Sequence, residues 1–526
     1  LEFSRSLAAS LALMIVYTAG HVSAQSLDED VFQTQTPPNV VLFVDNSNSM
    51  DNPIYHTAYD EGNIPASFYT CDPFALPGPS ATILSGANSN GRFRGNIQDE
   101  NGDELYVQCN NNRARYGNCK VIPTSARAAH ADFVLSPNPD DHPSTNYIER
   151  TFCGRTRKIW NDGETEAFGD TTRINGKYFA WLYSLDTAST TLVGPAGFQL
   201  TGAQILNEID NSYNDREYIS GDTFGTYQVT RMTAARNIIA DVVYRTNTDC
   251  PAYTPSCTLA EDRIRFGLGI FDPEDHGGFM KVPVDEYSNN RSALENSIRS
   301  VQSDTLTPLA ESMFKIYTYF MSRTNADIPF GADGSTKFPK YRYNETDGGL
   351  VAGSEAPPSP VIAECQKNFV ILVTDGAPFD DDFDDEGSTR GRGFDEFEDL
   401  IGDYFTDAPG DADAPDEPGG GTWGNNQSGY LDDVAYFMQE NDFRPDYPDT
   451  QNLIDVYTVG FTTKDKTNDL LRKTAENGNG LFFTGNQADV LTEALVASVQ
   501  DIISKSQGFS AATVPAARTS VAPEGR

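Results

Sequence analysis

Five oxygen-bearing side chains carry the chemistry this sequence can do. Asp45, Ser47 and Ser49 occupy i, i+2 and i+4 of Asp45-Asn46-Ser47-Asn48-Ser49, and such positions face the same way in extended chain. Thr307 and Asp375 supply two more oxygens further along. Two carboxylates and three hydroxyls are hard donors, suited to Mg²⁺, Mn²⁺ or Ca²⁺ rather than to zinc or copper. With some of them acting through water, the set leaves a position open, where a partner's Asp or Glu carboxylate could dock. Each residue alone has an ordinary explanation: a Ser-rich loop, a helix cap at Thr307, a turn at Asp375. Their order along the chain, and the elements that carry them, set the group apart.

Those elements are legible. Asn39 to Val44 is a continuous apolar run that ends at Asp45, and Phe369 to Thr374 is a second, ending at Asp375-Gly376. Unbroken apolar runs fit strands buried on both faces of a parallel sheet. Arg265 to Phe271, Asp455 to Gly460 and Leu481 to Thr484 read as three more strands. Helical patterns lie between: one from Thr230, with Met232, Ala235, Ile238, Ile239, Val242 and Val243 on one face; one opened by Thr307-Pro308, with Thr as the cap. Tyr430 to Glu440, Asp465 to Glu476 and Ala488 to Lys505 follow, the last with Asn486 and Asp489 as a capping box. Strands alternating with helices predict an α/β fold with a doubly wound, mostly parallel sheet. The five oxygens then converge at the carboxyl edge of that sheet, where ligands bind, and Gly376 is expected to permit a sharp turn there.

Two segments break the alternation. Residues 51–223, rich in Asn, Gly, Pro and Tyr, show no sustained helical period and read as an inserted, disulfide-pinned, mostly β or irregular subdomain. Residues 380–429 read as an acidic surface loop. The remainder, 25–50 and 224–506, forms the α/β domain, and 507–526 reads as a linker toward a further region.

The Asp45/Ser47/Ser49, Thr307-Pro308-Leu309 and Thr374-Asp375-Gly376 segments resemble the metal-ion-dependent adhesion site of von Willebrand factor A-type domains. Pro38 to Ser47, Cys365-Gln366-Lys367-Asn368-Phe369, Thr374 to Pro378, Tyr430 to Tyr436 and Asp442-Phe443-Arg444-Pro445 resemble the PilY/PilC family of type IV pilus assembly and tip-adhesin proteins. The likeness covers roughly Pro38 to Met50 and Thr230 to Ala512, and extends to the position of the insertion. It implies a von Willebrand A, Rossmann-like domain that binds a divalent cation, Mg²⁺ foremost, at Asp45, Ser47, Ser49, Thr307 and Asp375. It implies as partners minor pilins, or a host or surface ligand presenting a carboxylate, at the periplasm or outer surface. The family continues into a C-terminal β-propeller, so propeller-borne functions, including calcium-linked control of pilus retraction, are expected to lie outside these residues.

Composition agrees with an exported, acidic protein. The chain has 526 residues and a formal charge of −38, which repels nucleic-acid phosphates and anionic lipid and attracts divalent cations; adaptation to a saline habitat accounts for the acidity equally well. Arg5, the apolar run Leu7 to Ala19 and Val22-Ser23-Ala24 predict a signal peptide over residues 1–24; no later run reaches the roughly 20 apolar residues of a membrane span. The sequence opens on Leu1 rather than Met, as an incomplete or recoded reading frame does. Seven cysteines suit an oxidising compartment: Cys250 with Cys257 and Cys109 with Cys119 as local bridges, Cys71 with Cys153 as a further pairing, Cys365 left over.

Other readings are thinner. The run Asp380 to Glu386 lacks the spacing and central Gly of a calcium loop, and reads as a solvated loop; Asp99 to Glu104 reads as a turn. The histidines (His21, His56, His130, His142, His276) are scattered and no H-E-x-x-H, G-x-S-x-G or phosphate-loop pattern occurs, so no enzyme is expected. A secreted von Willebrand A protein of a non-pilus system is the alternative. A metal-dependent hydrolase is the reading of a different class, and a His or Glu beside Asp45 would favour it.

Overall fold

A computed structural model describes residues 36–60, 64–74, 92–110, 119–122, 147–160, 174–193, 197, 199–211, 230–248, 262–272, 277–303, 305–321, 329–330, 336–337, 343–344, 349–351, 359–379, 381, 401, 429–444, 447, 450–485 and 488–507. The expected signal peptide over 1–24, Cys250, Cys257, Asn486, all but residue 507 of the expected linker and all but Asp381, Ile401 and Gly429 of the expected acidic loop lie outside these residues.

The chain forms a mixed α/β structure around a six-stranded, mostly parallel sheet. In chain order its strands are β1 (Asn39–Val44), β2 (Arg265–Phe271), β3 (Gly278–Asp285), β4 (Asn368–Thr374), β5 (Ile454–Phe461) and β6 (Asn479–Gly485). They lie in the order β3-β2-β1-β4-β5-β6. All neighbours pair parallel except β2 and β3. The helices are α1 (Arg231–Thr246), α2 (Tyr287–Arg299), α3 (Leu309–Met321), α4 (Leu431–Glu440), α5 (Asp465–Asn477) and α6 (Ala488–Gln507).

The apolar runs of β1 and β4 are buried throughout because helices cover both faces. Side chains alternate between faces. Val40, Leu42 and Val44 join one core with Ile238 and Val243 of α1, Ile298 of α2 and Leu495 of α6. Val41 and Phe43 join the other, with Phe314 of α3, Val434 of α4 and Leu470 of α5. The antiparallel edge strand β3 and the helix α2 were not legible as elements: Gly278–Asp285 is half-alternating and interrupted by Pro283.

Among its described residues, segment 51–223 is richer in strand than in helix. It holds a four-stranded sheet and two hairpins, but also helices at Gly176–Ser184 and Gly202–Asn211. The first lies in a third core with Tyr178, Trp181 and Tyr183 wholly buried. A helix buried all round shows no amphipathic period, which is why its sequence hides it. Its last carbonyls accept from Arg155 and Arg157: Nη1 of Arg155 to Tyr183 O at 2.6 Å, and Nη2 of Arg157 to Leu185 O at 2.7 Å. Cations there also complement the helix dipole. Cys71 and Cys153 form a disulfide across 82 residues. Cys119 is disulfide-bonded and sits opposite Cys109 in its ladder, while Cys365 is free and exposed.

Strand β2 reads Arg-Phe-Gly-Leu-Gly-Ile-Phe; its Gly267 makes room for Met280 and Val284 of β3, and its Gly269 for Phe43 of β1. A Cβ on Gly269 would lie 2.6 Å from Cδ2 of Phe43, its partner in the ladder. Gly269→Ala is therefore expected to overpack the core and cost about 1–3 kcal/mol, read as a lower urea midpoint at unchanged slope.

Candidate metal centre

The carboxyl ends of β1 and β4 are side by side, and the ladder runs one step past the strand into Asp45, whose N–H donates to Val373 O at 2.9 Å. Asp45 is wholly buried. Its Oδ1 accepts from the N–H of Ser47 at 2.7 Å. Its Oδ2 accepts from the hydroxyl of Thr374 at 2.6 Å and the N–H of Asp375 at 3.3 Å. Asp45 thus shapes both loops that leave the sheet here. Burial, and then the negative charge of Asp375, push the Asp45 carboxyl up to about 7, against the lowering pull of those hydrogen bonds.

The alternation of the serine motif survives in altered form. Ser47 is extended, but Asn48–Asp51 turns into a short 3-10 helix, so extended geometry does not carry Ser49 to the site. The turn does: Ser47 Oγ and Ser49 Oγ are 2.8 Å apart, and Ser49 donates to Asp375 Oδ1 at 2.6 Å. Ser49 has one hydroxyl proton and gives it to Asp375, so Ser47 is the donor of the pair. The two asparagines hold the motif down on its other side. Asn46 exchanges hydrogen bonds with Phe271 at the end of β2 (2.8 and 3.3 Å), and Asn48 donates twice to Thr305 O.

Thr307 arrives through backbone pairing with Phe379, in both directions at 3.0 and 3.2 Å. The position of a Cβ on Gly376 would be 3.6 Å from Thr307 Oγ1 and 3.5 Å from Ser49 Oγ. The three segments around residues 45–49, 305–307 and 374–379 therefore bring all five expected side chains to one strand-end. The chain bends at Asp375-Gly376 without a left-handed φ at Gly376, and Gly376 lines the site beside the hydroxyls.

Two functional residues escaped the sequence. The cap of α3 is not the Thr307 side chain but Asp381, whose carboxylate accepts from the N–H groups of Ala310 and Glu311, both at 3.0 Å. Asp381 is 2% exposed, so this member of the acidic run is no solvated loop residue. The second is Arg231, the first residue of α1, whose Nη1 is 2.5 Å from Asp375 Oδ2. A cation at a helix N-terminus opposes the helix dipole, and that conflict is the signal that could have singled it out.

The donor chemistry fits a small hard cation. Neighbouring ligands of an octahedral ion at about 2.1 Å are about 3 Å apart. The 2.6 and 2.8 Å spacings along Ser47, Ser49 and Asp375 are close to that. Among the described residues no three His, Cys, Asp or Glu side chains are placed to hold a metal. Of the histidines, only His56 is described, and it is paired with Glu208 at 2.8 Å in the inserted segment. Among the described residues no helix is long and apolar enough to cross a membrane.

No family model and no curated protein matches the chain. Two solved structures align with part of it. Conserved hypothetical protein BatB from Bacteroides thetaiotaomicron is 10% identical, covering 52% of this chain and 88% of that one, with a TM-score of 0.24. An aerotolerance-related membrane protein from Bacteroides fragilis NCTC 9343, carrying multiple mutations to serines, is 10% identical over 52% and 89%, with a TM-score of 0.22.

Asp381→Ala leaves two amide donors of α3 without their acceptor. A loss of about 1 kcal/mol is expected, measured as a shift of the urea midpoint; an unshifted midpoint would show that α3 does not depend on this cap.

Proposed function

We propose that the chain is a metal-dependent adhesion or assembly module: a doubly wound von Willebrand A-type domain whose Asp45, Ser47, Ser49, Thr307 and Asp375 hold a divalent cation, Mg²⁺ foremost. The observation that carries the reading is the convergence of these five oxygens, from three separate segments, at the end of two adjacent parallel strands.

The residues divide the work. Asp45 orients the loops by accepting three hydrogen bonds. Ser47, Ser49 and Thr307 offer hydroxyl oxygens, and Ser49 keeps donating its proton to Asp375 while the lone pair not taken by Ser47 is available. Once held, the cation supplies positive charge at an open position, to which a carboxylate of a partner protein binds. Asn48 is exposed and Phe379 is 41% exposed, so the edge of the site is accessible to a macromolecular ligand. The motifs around Cys365 and Tyr430 favour a type IV pilus setting, with export by the N-terminal signal and a minor pilin or surface ligand as partner. A von Willebrand A protein of a non-pilus system would use the same chemistry.

Asp45→Ala is expected to abolish Mg²⁺ binding in calorimetry. The donors it orphans cost about 1–3 kcal/mol, which leaves the domain folded by circular dichroism; full Mg²⁺ affinity in this variant would sink the assignment. For the wild-type chain, Mg²⁺ at a hundred times its Kd should stabilise by about 2.7 kcal/mol, a gain that EDTA removes.

A further inference from the structure

Asp375 already has a cation. Its side chain is wholly shielded from solvent, with Ser49 on Oδ1 and the Arg231 guanidinium on Oδ2 at 2.5 Å. The guanidinium is otherwise weakly held: its buried Nε has no hydrogen-bond partner among the described residues, and its side chain keeps 17% exposure. The backbone of Arg231, by contrast, is pinned. Its N–H donates to Asn52 O at 3.0 Å, Thr230 pairs with Pro53, and the Thr230 hydroxyl caps the helix through Thr233 N–H at 3.1 Å. Only the side chain is therefore free to change partner.

We propose that Arg231 is an internal cation that competes with the divalent ion for Asp375 and so sets the metal affinity of the centre. The inference rests on the metal reading above and adds to it a residue outside the five oxygens. Two positive charges within a few ångströms of one buried carboxylate repel strongly where water is scarce. Loading the centre then requires the guanidinium to leave Oδ2 or to tolerate the ion beside it, and either weakens binding. With no ion present, Arg231 compensates the charge that Asp375 would otherwise bury alone. The position suits the role: Arg231 is where the chain returns from the inserted segment and enters α1, one hydrogen bond from the turn that carries Ser49.

The test is a calorimetric titration of the full chain with MgCl₂ and MnCl₂, for wild type, Arg231→Gln, Arg231→Met and Arg231→Lys, with thermal unfolding as the check on folding. The two neutral variants, either of which suffices if the other misfolds, are expected to bind at least tenfold tighter than wild type. Arg231→Lys, which keeps the charge, is expected to stay within about threefold of wild type. Binding by wild type with equal or weaker affinity in a folded neutral variant overturns the role of Arg231 and leaves the metal reading standing. No binding by any of the folded proteins at millimolar metal overturns both.

Discussion

Everything at the candidate centre depends on two parallel strands ending together. β1 and β4 pair in register from Asn39 with Asn368 to Val44 with Val373, so the residues that follow them, Asp45 and Asp375, must share one strand-end. Both are buried there, and two buried carboxylates in proximity are unfavourable unless positive charge or donors meet them. The surrounding structure is organised around meeting that demand. Backbone N–H groups and the Thr374 hydroxyl satisfy Asp45; Ser49 and Arg231 satisfy Asp375.

The same demand explains the loops. Asn46 and Asn48 fasten the serine motif to β2 and Thr305 on one side, which leaves Ser47 and Ser49 facing the carboxylates on the other. Thr307 is delivered by backbone pairing with Phe379, two residues before the aspartate that caps α3. A hydroxyl that is not consumed as a helix cap remains a donor oxygen for the centre. Capping from another segment thus leaves the Thr307 hydroxyl for the proposed centre, and Asp381 does the work that local sequence assigns to Thr307.

What could be read in the sequence follows from which signals are local. The buried strands announce themselves because a strand covered on both faces must be apolar at every position, as Asn39–Val44 and Asn368–Thr374 nearly are. The stripes of α1 and α6 are visible because one face meets the sheet. The Gly176–Ser184 helix was hidden because burial on all sides erases its period, and β3 because an edge strand with Pro283 carries a weak pattern. Asp45 and Asp375 were legible from the strand ends they follow, whereas Ser47 and Ser49 were read from an extended spacing that a 3-10 turn replaces, and Thr307 from a helix start that Asp381 caps. Arg231 and Asp381 were not, because each acts on a segment distant in sequence: 144 residues separate Arg231 from Asp375, and 71 separate Ala310 from Asp381. A local conflict, a cation at the positive end of a helix, was the one trace of the first.

Whether these five oxygens hold a divalent ion is decided by diffraction from crystals grown with Mn²⁺, at wavelengths on either side of the manganese edge. The account predicts an anomalous peak bounded by Ser47 Oγ, Ser49 Oγ and Thr307 Oγ1, with Asp45 and Asp375 beside it. An ordered loop at Asp45 to Ser49 with no peak there, or manganese only at acidic surface positions, would contradict it.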